Sequence, residues 1–134
     1  MRVSQIMKPR VATVEMDDSM AMVRELFLAA PFHHLLVMEG EELVGILSDK
    51  DLYKALSHYL ESPGENQRDR DTLSRRVHQV MSRDLVTVAP ECPLEEAASL
   101  MLARGISCLP VVNGNTLEGI VTWRDLLRAA RFPD

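Results

Sequence analysis

The chain repeats itself. Shifted by 74 positions, Val3 to Ala55 lies over Val77 to Ala129 without a gap. About sixteen of some fifty aligned positions are identical, where average composition gives roughly three or four. Met7 falls on Met81, Thr13-Val14 on Thr87-Val88, Leu35 and Val37 on Leu109 and Val111. Gly45-Ile46 falls on Gly119-Ile120, and Asp51-Leu52 on Asp125-Leu126. A repeat at fixed offset requires both copies to adopt one supersecondary plan. One unit of this length buries too little surface to be stable alone, so the two are expected to share a core.

Each copy reads as βαββα. In the first, Val11 to Val14 is a short strand and Asp17-Asp18-Ser19 supplies capping and acidic first-turn residues. Met20, Val23, Phe27 and Ala30 then fall on one helical face. Leu35 to Met38 and Leu43 to Leu47 are strands joined by Glu39-Gly40-Glu41-Glu42, and Ser48 opens a helix through about Tyr59. In the second, Val86 to Val88 is the strand, and Pro93 with Glu95-Glu96 marks a helix start. Leu94, Ala97, Met101 and Gly105 mark that helix's inner face. Leu109 to Val112 and Leu117 to Val121 form a hairpin around Asn113-Gly114-Asn115, and Trp123 to Ala130 closes the copy. The polar, Pro-Gly-containing stretch Glu61 to Asp71 reads as a solvated loop. The expected organisation is residues 1–60 as repeat 1, 61–74 as linker and 75–134 as repeat 2. The fold class is α/β, layered α+β, with the two repeats packed sheet to sheet about a pseudo-twofold axis.

Composition removes several functions. A net charge of −5 and few aromatics argue against a nucleic-acid surface. No apolar run approaches the roughly 20 residues that cross a bilayer, and the N-terminus lacks a signal-peptide core. Cys92 and Cys108 are neither a Cys-x-x-Cys pair nor a disulfide framework, which suits a reduced, cytoplasmic setting. No metal-ligand spacing, Gly-x-Ser-x-Gly elbow or phosphate-binding P-loop occurs, so the chain is expected to be no enzyme and to require no cofactor.

The strand-to-helix corners carry the chemistry. Ser48 and Thr122 can offer a hydroxyl to a phosphate or ribose oxygen, and Lys50 and Arg124 can neutralise phosphate. Asp51 and Asp125 follow three residues after the hydroxyls. Ser-x-x-Asp and Thr-x-x-Asp are also capping boxes, which satisfy the helix's own N–H groups. Capping alone does not require the preceding Gly-Ile or a cation between, and both roles can share the same residues.

These strings resemble the cystathionine-β-synthase (CBS) domain family. The carriers are Gly45 to Asp51, Gly119 to Asp125 and Gly105 to Val112, with matching Ile-Met and Thr-Val starts. The layout is similar to small stand-alone CBS pairs of the bacterial acetoin-utilisation type. The resemblance implies a tandem pair, or Bateman module, with two related clefts that take AMP, ADP, ATP or an S-adenosyl compound. In that frame Asp51 and Asp125 accept hydrogen bonds from the ribose hydroxyls. The backbone around Thr13-Val14 and Thr87-Val88 holds adenine, with Ile46 and Ile120 beside it. His33 or His34 in the first copy, and Ser107 in the second, stand where the family reaches phosphate. Leu36 in place of Pro110, and Pro31 in place of Gly105, make the first copy's entry to its strand different. The resemblance further implies a homodimer that regulates a partner protein of unknown identity. The competing reading is a dimerisation or protein-interaction module with no ligand, in which the corners only cap helices.

Overall fold

The computed structural model describes residues 1–56, 64 and 66–131. The elements run β1 (Thr13–Glu15), α1 (Met20–Ala29), β2 (His34–Glu39), β3 (Glu42–Ser48) and α2 (Asp49–Ala55). Then come α3 (Gln67–Asp71), α4 (Val77–Val80), α5 (Leu94–Arg104), β4 (Cys108–Asn113), β5 (Thr116–Thr122) and α6 (Trp123–Ala129). Short 3₁₀ turns cover Val3–Gln5 and Thr72–Ser74. This is the mixed α/β layout of two repeats.

The compact units do not follow the sequence copies. One unit is Ala12–Leu85; the other joins Met1–Val11 to Val86–Asp134. Each copy's leading segment therefore packs on the other copy's body. In the first unit, Val77 N–H donates to Asp18 O at 2.8 Å and His78 N–H to Met16 O at 3.0 Å. In the second, Val3 N–H donates to Cys92 O at 2.8 Å and Ser4 N–H to Pro90 O at 3.0 Å. The bonds correspond position for position. Fully buried Val77 joins Val14, Met20, Val23, Leu35, Val37, Leu47 and Leu52 in one core. Fully buried Val3 joins Val88, Ala97, Met101, Leu109, Val111 and Val121 in the other.

In the first unit β1 pairs parallel with β2, and β2 antiparallel with β3. In the second, β4 pairs antiparallel with β5, but the strand expected at Val86–Val88 is reduced to a single parallel bridge, Val88 to Val111. Pro110 explains the loss. Leu36 N–H donates to Ala12 O at 3.1 Å; Pro110 stands at the equivalent position and has no N–H to give. Its carbonyl still accepts from Val88 N–H at 3.1 Å and Val112 N–H donates to Val88 O at 2.9 Å, so the single bridge keeps both its bonds.

Other boundaries differ for equally local reasons. Gly105 is exposed and is the left-handed C-cap of α5 (φ 63°), not part of its inner face. Glycine takes that conformation at little cost. Pro31, its counterpart, holds Ala30 extended, and α1 stops at Ala29. Helix α2 ends at Ala55 because Leu56 turns extended and packs on the core; residues 57–59, where it was expected to continue, lie outside the described residues. The expected loop at Glu61–Asp71 is helical from Gln67, where Arg70 N–H donates to Asn66 O at 3.2 Å. Gln67 Nε2 also donates to Asp71 Oδ1 at 2.8 Å, an i,i+4 pair that supports the turn. Among the described residues no helix is long and apolar enough to cross a membrane.

Candidate functional site

Gly45 and Gly119 have a packing reason. A Cβ on Gly45 would lie 2.6 Å from Met81 Sδ and 3.1 Å from Ser82 O; on Gly119 it would lie 2.6 Å from Lys8 O. In each unit the missing side chain lets a leading segment bridge one strand, Ser82 on β3 and Lys8 on β5. Ser82 and Ile46 exchange two backbone bonds of 2.9 and 3.0 Å, and Lys8 and Ile120 do the same at 2.9 and 3.0 Å. The duplicated Gly-Ile thus answers to a backbone crossing, which sequence reasoning had weighed toward ligand contact.

Two residues beyond Ile46 and Ile120, each strand turns into its helix through a complete capping box. Ser48 N–H donates to Asp51 Oδ2 at 2.8 Å, and Asp51 N–H to Ser48 Oγ at 3.1 Å. Thr122 N–H donates to Asp125 Oδ2 at 2.9 Å, and Asp125 N–H to Thr122 Oγ1 at 3.4 Å. Thr122 Oγ1 also donates to Asp125 Oδ2 at 3.1 Å. Both hydroxyl–carboxylate pairs are therefore held in place. A carboxylate has about four acceptor sites, so capping leaves capacity for a further donor.

The surroundings of the two corners differ. Asp125 is 5% exposed; its Oδ1 receives Arg128 Nη1 at 3.2 Å and lies 3.9 Å from Lys8 Nζ. At the first corner Asp49 Oδ2 meets His33 Nδ1 at 2.8 Å, while His33 O accepts from Asp49 N–H at 3.0 Å. The matching backbone bond runs from Trp123 N–H to Ser107 O at 3.1 Å, and Arg124 lies over the Trp123 ring at 4.5 Å. Sequence reading missed Lys8, Arg128 and Asp49. The only signal for Lys8 was that Ser82 stands at its place in the other copy.

The remaining candidates are distributed as follows. Lys50, Thr13 and Thr87 are exposed. Val14 and Val88 are core side chains, so only their backbone can meet a ligand. Ile120 is buried and Ile46 half-buried. His34 opens β2 opposite Ser48, and His33 precedes the strand. Cys108 is buried, and desolvation pushes its thiol up to about 12. Cys92 is also raised, by burial first and Glu96 second, so its place before a helix does not make it a stabilised thiolate.

The geometry meets its relatives at this point. The CBS domain family profile matches residues 3–58 and 77–131. The chain belongs to the CBS domain family and carries two copies of the domain. A CBS domain-containing protein of Dictyostelium discoideum is 31% identical over 128 residues, covering 93% of this chain and 88% of that protein. A crystal structure described as an acetoin utilization protein of Vibrio cholerae is 28% identical with TM-score 0.78, covering 96% of this chain and 89% of the other. CBSX2, crystallised in complex with AMP, is 29% identical with TM-score 0.78, covering 96% and 94%. An inosine-5′-monophosphate dehydrogenase of Methanocaldococcus jannaschii is 30% identical over 125 residues, but the chain spans only 22% of its length.

Proposed function

We propose that the chain is a regulatory module that binds an adenosine-type nucleotide at the Ser48–Asp51 and Thr122–Asp125 corners and signals the bound state to a partner protein. The observation that carries this reading is the paired geometry. Two hydroxyl–carboxylate corners recur at equivalent positions, each held by a complete capping box. A carboxylate with acceptor capacity beside a hydroxyl suits a ribose diol. A relative of similar length was crystallised with AMP. Thr13, Val14, Thr87 and Val88 supply backbone, Ile46 and Ile120 apolar surface, and His33, His34, Lys50, Ser107 and Arg124 polar reach toward the 5′ substituent. The ligand is AMP, ADP, ATP or an S-adenosyl compound, and the module performs no catalysis of its own. Signalling requires the ligand to favour one of two conformations by differential affinity. Two free cysteines fit a reducing compartment such as the cytoplasm.

A specific observation favours self-association. Exposed apolar side chains recur at equivalent positions: Leu28 with Leu102, and Tyr53 with Leu127. Such surface supports a homodimer with or without ligand. A thermal-shift panel with AMP, ADP, ATP and S-adenosylmethionine separates the sensor from a ligand-free dimerisation module. A ligand at 100 times its dissociation constant adds about 2.7 kcal/mol. A shift abolished in the Asp51→Ala, Asp125→Ala double variant is the expected result. No shift with any compound refutes the sensor.

A further inference from the structure

The two corners share a backbone but not a charge. Leading segments bridge Ile46 and Ile120 alike, and both capping boxes are formed. Cations at two positions also match: Lys50 with Arg124, and Lys54 with Arg128. Besides His33 and His34 against Ser107 and Cys108, two positions change the formal charge. Lys8 stands where the first corner has Ser82, and Trp123 where it has Asp49. The second corner therefore brings Lys8 and Arg128 to one carboxylate, Asp125, with Arg124 beside it over the Trp123 ring. The first has Lys50 and Lys54 against two, Asp49 and Asp51.

Resting on the nucleotide reading above, we propose that the Thr122–Asp125 corner takes the phosphate-bearing nucleotide, while the Ser48–Asp51 corner takes an adenosine compound without phosphate. Lys8 and Arg128 converge on one oxygen of Asp125 at 3.9 and 3.2 Å, yet are themselves 57% and 66% exposed. Ion pairs this exposed hold weakly. When the ribose hydroxyls donate to Asp125, both side chains can turn outward on their flexible stems to a phosphate, which carries about −1.5 to −2 near neutral pH. Their present contact with Asp125 keeps them stationed at the corner. At the first corner Asp49 adds a negative charge two residues from Asp51, which disfavours phosphate and tolerates a neutral thioether or a sulfonium at the 5′ position. His33 holds that carboxylate at 2.8 Å.

Isothermal titration of the full chain with ADP and with 5′-methylthioadenosine tests this. Asp125→Ala should weaken ADP by about tenfold or more while sparing 5′-methylthioadenosine, and Asp51→Ala should do the reverse. The retained ligand shows that each variant is folded. Lys8→Ser copies the other corner's residue and keeps both backbone bonds to Ile120. It should weaken ADP about threefold to tenfold, the loss expected for one screened charge, and change 5′-methylthioadenosine by less than twofold. Equal loss of both ligands in Lys8→Ser, or loss of ADP with Asp51→Ala instead of Asp125→Ala, overturns the assignment while leaving nucleotide binding intact. Failure of the unaltered chain to bind either compound overturns the assignment, and the nucleotide reading falls with it only if the four-compound thermal-shift panel is also negative.

Discussion

Gly45 and Gly119 occupy one position in the two copies, but an added methyl group would meet different obstacles. At Gly119 it would lie 2.6 Å from Lys8 O, a backbone atom, and 2.9 Å from Met7 Sδ. That carbonyl already accepts from Ile120 N–H at 3.0 Å, and Lys8 N–H donates to Ile120 O at 2.9 Å. Relieving the clash must push the leading segment off β5 and stretch both bonds. Overpacking costs about 1–3 kcal/mol, and each net hydrogen bond about 0.5–1.5 kcal/mol. Alanine recovers about 0.5 kcal/mol in a strand. Gly119→Ala should therefore destabilise by about 1.5–5.5 kcal/mol. At Gly45 the nearest atom is Met81 Sδ, the end of a flexible side chain, and Ser82 O stands off at 3.1 Å. Gly45→Ala should cost about 1 kcal/mol. Urea denaturation followed by circular dichroism measures both, and a thermal scan should order them the same way. A Gly119→Ala loss below about 0.5 kcal/mol, or a larger loss for Gly45→Ala, would refute the claim that backbone crossing dictates glycine here.

Two further outcomes follow from the buried strands. Cys108 has its thiol raised to about 12 by burial from an ordinary value of 9.0. Above pH 9 the unfolded chain binds fewer protons than the folded one. The stabilisation is complete below pH 9 and is lost as pH rises toward 12, by up to about 1.4 kcal/mol per pH unit. Urea midpoints between pH 8 and 10.5 should fall less steeply in Cys108→Ala; parallel slopes contradict the burial effect. Leu36→Pro should remove the Leu36 N–H bond to Ala12 O, reduce β1 to a single bridge as in the second unit, and cost about 2 kcal/mol or more. Amide exchange that leaves the Val14 and Val37 region as protected as before would argue against this account.

Much of the architecture was readable because each copy corroborates the other. Helix starts at Ser48 and Thr122, and the turns at Gly40 and Gly114, are local signals written twice. Pro110 against Leu36 was visible as well, although the strand it shortens was still expected. The exchange of leading segments was not readable. An offset reveals which positions are equivalent, whereas Val3 is satisfied by burial in either body, so periodicity cannot say which one it joins. The same gap hid Lys8: its partner Asp125 is remote in sequence and becomes a neighbour only through that exchange. Ser48, Asp51, Thr122 and Asp125 were legible as a group because hydroxyl and carboxylate lie within one helical turn, and the helix cap makes that spacing geometrically exact to a few tenths of an ångström in both copies.

The exchanged leading segment also sets an order of events during synthesis. Ala12–Leu85 is continuous, so this unit can close as soon as its last residues leave the ribosome. Met1–Val11 emerges ahead of that unit but must wait, with Val3 unburied, until β4 and β5 have been made. A segment made ahead of the first body is thus among the last to find its place, and cutting the gene between the two copies would strand a hydrophobic end on each product.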